Sequence, residues 1–289
     1  MINYLVIEIA ADNINVTHTP VWSVSPYSIC SFLRAFQERA NNRCGSGIFS
    51  VEGFSVIQHS LQGYSGMLSG AGVEIKYKKH LVTEKTVDMH AIHHRIPYKL
   101  LASGMFTLIV SADFEAPDEL DPAEFKKNAS ITLQQMKFLG GTIARQQLFG
   151  PFSTEKEAKA HLQCNGCNGL LYQLNDEALQ EYLRKGCSPA EALLWATQRI
   201  LDQKTKKLAS KPGSNFASLI GYQLLETPRK REGTRDSSHR HAYAEPVFSV
   251  IKRVPARPCL EKEASLQEQG LVWQKEFNAE TNTLYVHNQ

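Results

Sequence analysis

Two hydrophobic periods alternate through residues 1 to 150, and their order restricts the chain to few folds. The opening YLVIEIA is a short apolar run rich in β-branched residues, which reads as a buried strand. At Ser25-Pro26 the period changes. Ser25 suits an N-cap and Pro26 a first helical position, and Ile29, Phe32, Leu33, Phe36 and Ala40 then recur at helical spacing, predicting an amphipathic helix that ends near Asn41.

The runs FSVIQHSLQGY and GMFTLIVSADFE read as strands on either side of a polar stretch, residues 76 to 100, rich in Lys and His. Asp121-Pro122 starts a second helix, with Phe125, Ile131 or Ala129, Leu133, Met136 and Leu139 toward one side; Gly140-Gly141 stops it, and TIARQQLF follows as a strand. The order strand, helix, strand, strand, helix, strand predicts an α+β chain with a ferredoxin-like or RNA-recognition-motif core over residues 1–150.

From Thr154 to about Leu208 the pattern is helical, which predicts a helical insertion over residues 151–210; Ser188-Pro189 repeats the cap-plus-proline start, and Glu191 completes a capping box. Residues 211–289 hold SLIGYQLLE and YAEPVFSVIKRV, strands flanking a basic segment, and a final hairpin pattern in LVWQKEFNAETNTLYVHN. These C-terminal strands and the basic loop are expected to complete the fold.

Charge is unevenly spread. Residues 204 to 257 carry twelve Lys/Arg against four Asp/Glu, a local +8 within a chain of net +3, so the remainder is −5. Such segregation points to a polyanionic partner. It is densest in Arg229, Lys230, Arg231, Arg235 and Arg240, five cations within twelve residues, with His239 and His241 among them. Arginine's planar fork suits phosphate oxygens, although a basic loop is also a common solvated surface. Tyr222 and Tyr243 flank the loop and are expected to be core residues, with base stacking as the other use of their rings.

Other constellations read less specifically. His161, Cys164, Cys167 and Cys187 include a single Cys-x-x-Cys pair, whereas structural zinc sites usually show two, so no metal is expected and the six cysteines read as reduced thiols. His90, His93 and His94 have no carboxylate or lysine at an enforced spacing, and His59 reads as a sheet histidine. Walker, dinucleotide, zincin and nucleophile-elbow motifs are absent, so no cofactor is expected. No run of eighteen apolar residues occurs, and the opening MINYLVIEIAADN lacks a basic start; the expectation is a cytoplasmic protein without membrane contact.

Five stretches in order resemble the Cas-five-type RAMP subunit of the type I-F CRISPR surveillance (Csy/Cascade) complex. Ser25-Pro26 leading into FLRAFQERA is similar to that family's serine-proline entry and helix, and FSVIQHSLQGY to its strand ending in a histidine, here His59. MKFLGGTIARQQLF resembles its helix, glycine pair and strand, and LLYQLNDEALQEYL followed by SPAEALLWATQRI its helical segment. The run from Gly221-Tyr222 through Arg235-Asp236 to Glu245 resembles its C-terminal signature, so the likeness covers residues 20 to 252.

The resemblance implies a RAMP fold and a non-catalytic, RNA-binding subunit in antiviral defence. It would hold the five-prime handle of the guide (CRISPR) RNA and cap the ribonucleoprotein beside the large subunit and the backbone RAMP subunits, meeting target DNA only through the complex. RNA-binding residues would be Gln37, Arg39, His59 and Arg145 in the matching stretches, with Arg229, Lys230, Arg231, Arg235, His239 and Arg240 in the loop. Two departures, Glu38 where the family often has a base and Ile251-Lys252-Arg253 where it has a glycine-acid-tryptophan turn, leave room for a divergent variant or a backbone subunit. A guide-processing RAMP endoribonuclease is the remaining alternative, with His59, His93 or His94 and Lys99 as candidates.

Overall fold

Leu5, Ile7, Ile9 and Ala11 enter the main core at every second position of β1 (Ile2–Asn15), the two-residue period of a strand with one face in the principal core. The computed structural model describes residues 2–18, 22–44, 49–64, 101–115, 121–197, 215–231 and 240–288. Within them the chain is α+β, a ten-stranded antiparallel sheet with six helices and a separate two-stranded pair, β2 (Thr17–His18) with β3 (Trp22–Ser23).

β1 lies between β5 (Leu101–Phe114) and β7 (Gly141–Phe152), and β5 pairs on its other side with β4 (Phe49–Tyr64). Two helices cover one face. α1 (Pro26–Cys44) buries Ile29, Phe32, Leu33, Phe36 and Ala40, and its start is capped as the sequence predicts, the Ser25 hydroxyl accepting the N–H of Ser28 at 3.1 Å. α2 (Pro122–Gln134) opens on Asp121, which accepts the N–H of Ala123, and buries Phe125, Ala129 and Leu133; Ala129 therefore faces the core rather than the half-buried Ile131. Each fully buried Phe or Leu here contributes about 1.5–3 kcal/mol.

The second helix ends sooner than its apolar spacing suggests. Lys137–Phe138 forms a short strand, β6, antiparallel to the start of β7 with Phe138 opposite Gly141. Leu139 (φ 50°) and Gly140 (φ 84°) make the two-residue turn, a hairpin geometry that needs positive φ at both places. Met136 and Leu139 are buried, so their apolar signal is real, but it comes from a hairpin and not from another helical turn. At Gly141 a Cβ would sit 2.3 Å from the Asp12 carbonyl oxygen, so this glycine admits the close approach of β1 backbone.

The segment after β7 holds α3 (Glu155–Cys164), α4 (Asp176–Arg184) and α5 (Pro189–Thr197), with the predicted capping box at Ser188 and Glu191, whose carboxylate accepts from the Ser188 N–H at 2.9 Å. It is not helical throughout. Leu170–Leu174 forms β8, which joins the sheet between β4 and β10 (Ala244–Pro255). Tyr172 at its centre is fully buried and donates its hydroxyl to Gln58, so a strand is the conformation that brings this large side chain into the core.

β10 pairs with β9 (Asn215–Leu224), β9 with β12 (Thr283–His287), and β12 with β11 (Gln274–Asn278) in the hairpin that the sequence predicts. Trp273, just before β11, then bridges to Phe54 on β4, with the Phe54 N–H donating to the Trp273 carbonyl at 2.9 Å and the reverse bond at 2.7 Å. The pairings β4, β8, β10, β9, β12 and β11 thus close on themselves. Trp273 is fully buried within this ring and donates its indole N–H to the Tyr172 carbonyl.

Among the described residues, the other face of the β1 sheet is covered at one end. Val6, Ile57, Ile109 and Leu171 pack there against Ala158 and Leu162 of α3 and Ala256 and Leu260 of α6 (Ala256–Glu261). Lys159 of α3 is buried, its ammonium donating to the carbonyls of Lys262 (2.7 Å) and Ala264 (3.0 Å), which fastens the chain after α6 against α3. Among the described residues no helix is long and apolar enough to cross a membrane.

Candidate nucleic-acid interface

The β9–β10 ladder continues beyond its regular strands. Leu225 donates to the Tyr243 carbonyl at 2.9 Å, and Arg229 and His241 exchange both backbone bonds at 2.9 and 2.8 Å. The described ends of the basic segment are therefore paired as an extension of the hairpin. Glu226 organises it: one carboxylate oxygen accepts the Tyr243 N–H at 2.8 Å and the Arg231 guanidinium, and the other lies 3.5 Å from that of Arg229. These contacts, the Tyr243 N–H first and the two arginines after it, hold the Glu226 carboxyl below its ordinary range.

Arg231 is drawn across Tyr243, its guanidinium carbon 4.6 Å from the ring centroid. Tyr243 is nonetheless 67% exposed. That overturns the expectation of a core residue, because the ring sits on this extension, beyond the layer that the helices cover. Tyr222 lies half-buried, edge-on to Tyr27 at 5.2 Å. Arg229, Lys230 and Arg240 are exposed on the same hairpin; Arg235, Asp236 and His239 lie outside the described residues.

Two more expected contacts fall on the open end of the sheet face. Arg145 on β7 stands opposite Ala10, next to a polar row in which Gln147, its carboxamide nitrogen turned to the acid, donates to Glu8 and accepts from Arg145, each at 3.2 Å. His59 on β4 is three strand spacings away, about 14 Å. Its Nδ1 lies 3.1 Å from the Asn168 carbonyl, to which it donates, and its Nε2 lies 2.7 Å from the Thr107 hydroxyl. Along β1, β5 and β7 this end presents Glu8, Ala10, Met105, Arg145 and Gln147, with Thr107 buried among them; the aromatic residues Tyr4, Phe149 and Phe152 pack at the end that α3 covers.

The remaining pair lies on α1. Gln37 accepts the Val51 N–H at 2.9 Å and so ties the helix to β4. Arg39 is exposed and lines a cleft of about 490 Å³ with Asn42, Arg43, Thr132 and Gln135. The eight described positions of the ten thus fall into three places: the end of the β9–β10 hairpin, the second sheet face and α1. Sequence reasoning passed over Glu226, whose signal is a lone acid at the neck of an arginine-rich hairpin.

The cysteine pair offers little to a metal. Cys164 is exposed at the end of α3, and Cys167 is half-buried with its thiol pushed up to about 11 by burial and then by Glu8, which disfavours the thiolate a metal needs. His161 lies against the rings of Phe149 and Phe152 at 4.4 and 5.4 Å. No group of three or more His, Cys, Asp or Glu suited to a metal ion occurs among the described residues. His90, His93, His94 and Lys99 lie outside them. Compared with known proteins, the sequence matches no family model and no curated protein.

Proposed function

We propose that this chain is a non-catalytic RNA-binding subunit of a type I-F CRISPR surveillance complex, with a RAMP fold, and that its β9–β10 hairpin grips the five-prime handle of the guide RNA. The observation that carries the reading is the hairpin tip, where one acid sets two arginines beside an exposed tyrosine. Arginines on phosphates and rings under unpaired bases are the two contacts by which proteins hold single strands. The β-α-β-β-α-β order on an antiparallel sheet supports the ferredoxin-like part of the reading.

The hairpin is a better seat for RNA than the open sheet face. That face offers Arg145 but also Glu8, and along β1, β5 and β7 its open end carries no ring for a base to stack on. The endoribonuclease alternative gains nothing from His59, since both of its ring nitrogens are already engaged. Guide RNA, the large subunit and the backbone subunits are the partners this proposal assigns; the protein acts in the cytoplasm and needs no cofactor.

The experiment is binding of a short single-stranded RNA to the full chain over a salt series. Each phosphate contact contributes a log-log slope of roughly −0.7, so Arg229→Ala/Arg231→Ala should flatten the slope by about 1.4. The RNA should be recovered uncut. Parallel slopes with equal affinity, or cleavage of the strand, would overturn the reading.

A further inference from the structure

We infer that Tyr243 and Arg231 form a stacking site for one unpaired nucleobase, with Glu226 as its positioning residue; this rests on the RNA-binding reading above and narrows it to a strand whose base is free to leave its neighbours. Three observations converge. Arg231 occupies one face of the Tyr243 ring at 4.6 Å, yet the residue remains 67% exposed, so the opposite face is open to a planar ligand. Exposed cations, Arg229, Lys230 and Arg240, lie on the same hairpin and supply the phosphate half of a nucleotide's chemistry. A single Glu226 oxygen binds both the Arg231 guanidinium and the Tyr243 backbone N–H, which couples the guanidinium plane to the ring beneath it.

An exposed tyrosine with an arginine across it is also what a solvated turn can carry. The hairpin differs in directing the carboxylate of Glu226 to the stack. Glu226 reaches past Arg229, which it meets only at 3.5 Å, to bind Arg231 and the strand that bears Tyr243. A base added to the open face completes a layered arrangement of guanidinium, phenol and base, in which each plane excludes water from the next. A base inside a duplex has both faces covered, so the site selects single strands.

The test uses the full chain with three probes: an oligouridine strand, a backbone of the same length without bases, and a duplex of matched length. Tyr243→Leu should weaken the oligouridine about tenfold at every salt concentration, the size expected for one lost base stack, and leave its salt slope unchanged. It should leave the base-free backbone unaffected. Tyr243→Phe should keep wild-type affinity, and Arg231→Lys, which retains charge without the plane, should weaken the base-bearing strand more than the base-free one. Equal losses on both strands, or no loss on oligouridine, would refute the stacking site while leaving phosphate binding intact. Failure of the wild-type chain to bind any probe would refute phosphate binding as well.

Discussion

The corner at Gly140-Gly141 and the end of the β9–β10 ladder at Arg229 and His241 both adjoin paired strands, but opposite forces hold them. At the corner β1 backbone approaches until no Cβ fits, and Phe138 beside it is fully buried against the rings of Phe32 and Phe106 at 5.0 and 5.4 Å. At the tip the holding contacts are a carboxylate, two guanidinium groups and a solvent-facing ring. Exposed ion pairs of this kind add little to the stability of a fold. The difference separates two tasks. Change at the corner is paid in folding, whereas change at the tip should alter what the surface binds and leave the fold in place.

The largest effect that would sharpen this contrast lies in the ring of strands. Trp273→Ala removes a fully buried indole, its bond to Tyr172 and the packing where the ring closes, and should destabilise the protein by about 3–5 kcal/mol in denaturant unfolding. A loss below 1 kcal/mol would mean that the closure contributes little. Next comes Gly141→Val, which forces β1 and β7 apart at Asp12 and should lower stability by about 1–3 kcal/mol or more. Wild-type stability of that variant would erase the distinction between corner and tip.

The smallest effect belongs to Glu226. Its carboxyl is held low in the folded chain, so the order it gives the tip is fully present above the ordinary carboxylate range and disappears as pH falls through the lowered folded value. Hydrogen exchange at the Tyr243 amide reports this directly. Protection should persist through the usual carboxylate range and fall only at more acid pH, and Glu226→Gln should remove the acid step. A step at the ordinary carboxylate pKa would show that the acid is not held by these partners.

What the sequence made legible was local. Ser25, Pro26 and the spacing from Ile29 to Ala40 determine α1 without help from distant residues, and the box at Ser188 and Glu191 forms as read. The end of α2 was misplaced because Met136 and Leu139 are apolar in either conformation; only pairing with β7 makes them part of a hairpin. β8 escaped notice because five residues are too few for a two-residue period to stand out before α4 begins. At the hairpin, arginine density alone marked the segment in the sequence. The role of Glu226 depends on Tyr243, seventeen residues away, and so emerges only when the strands pair.

The ring also sets an order on synthesis. The outer edge of β4 is completed by Leu170 and Leu171 of β8 and by Trp273, and Ser55 beside it bonds to Leu271 across 216 positions of chain. While the ribosome is still producing the intervening residues, part of that edge has no native strand to pair with, and an unpaired edge can join a neighbouring nascent chain instead. The β4 edge therefore stays incomplete until Trp273 has been made, long after the last residue of β7.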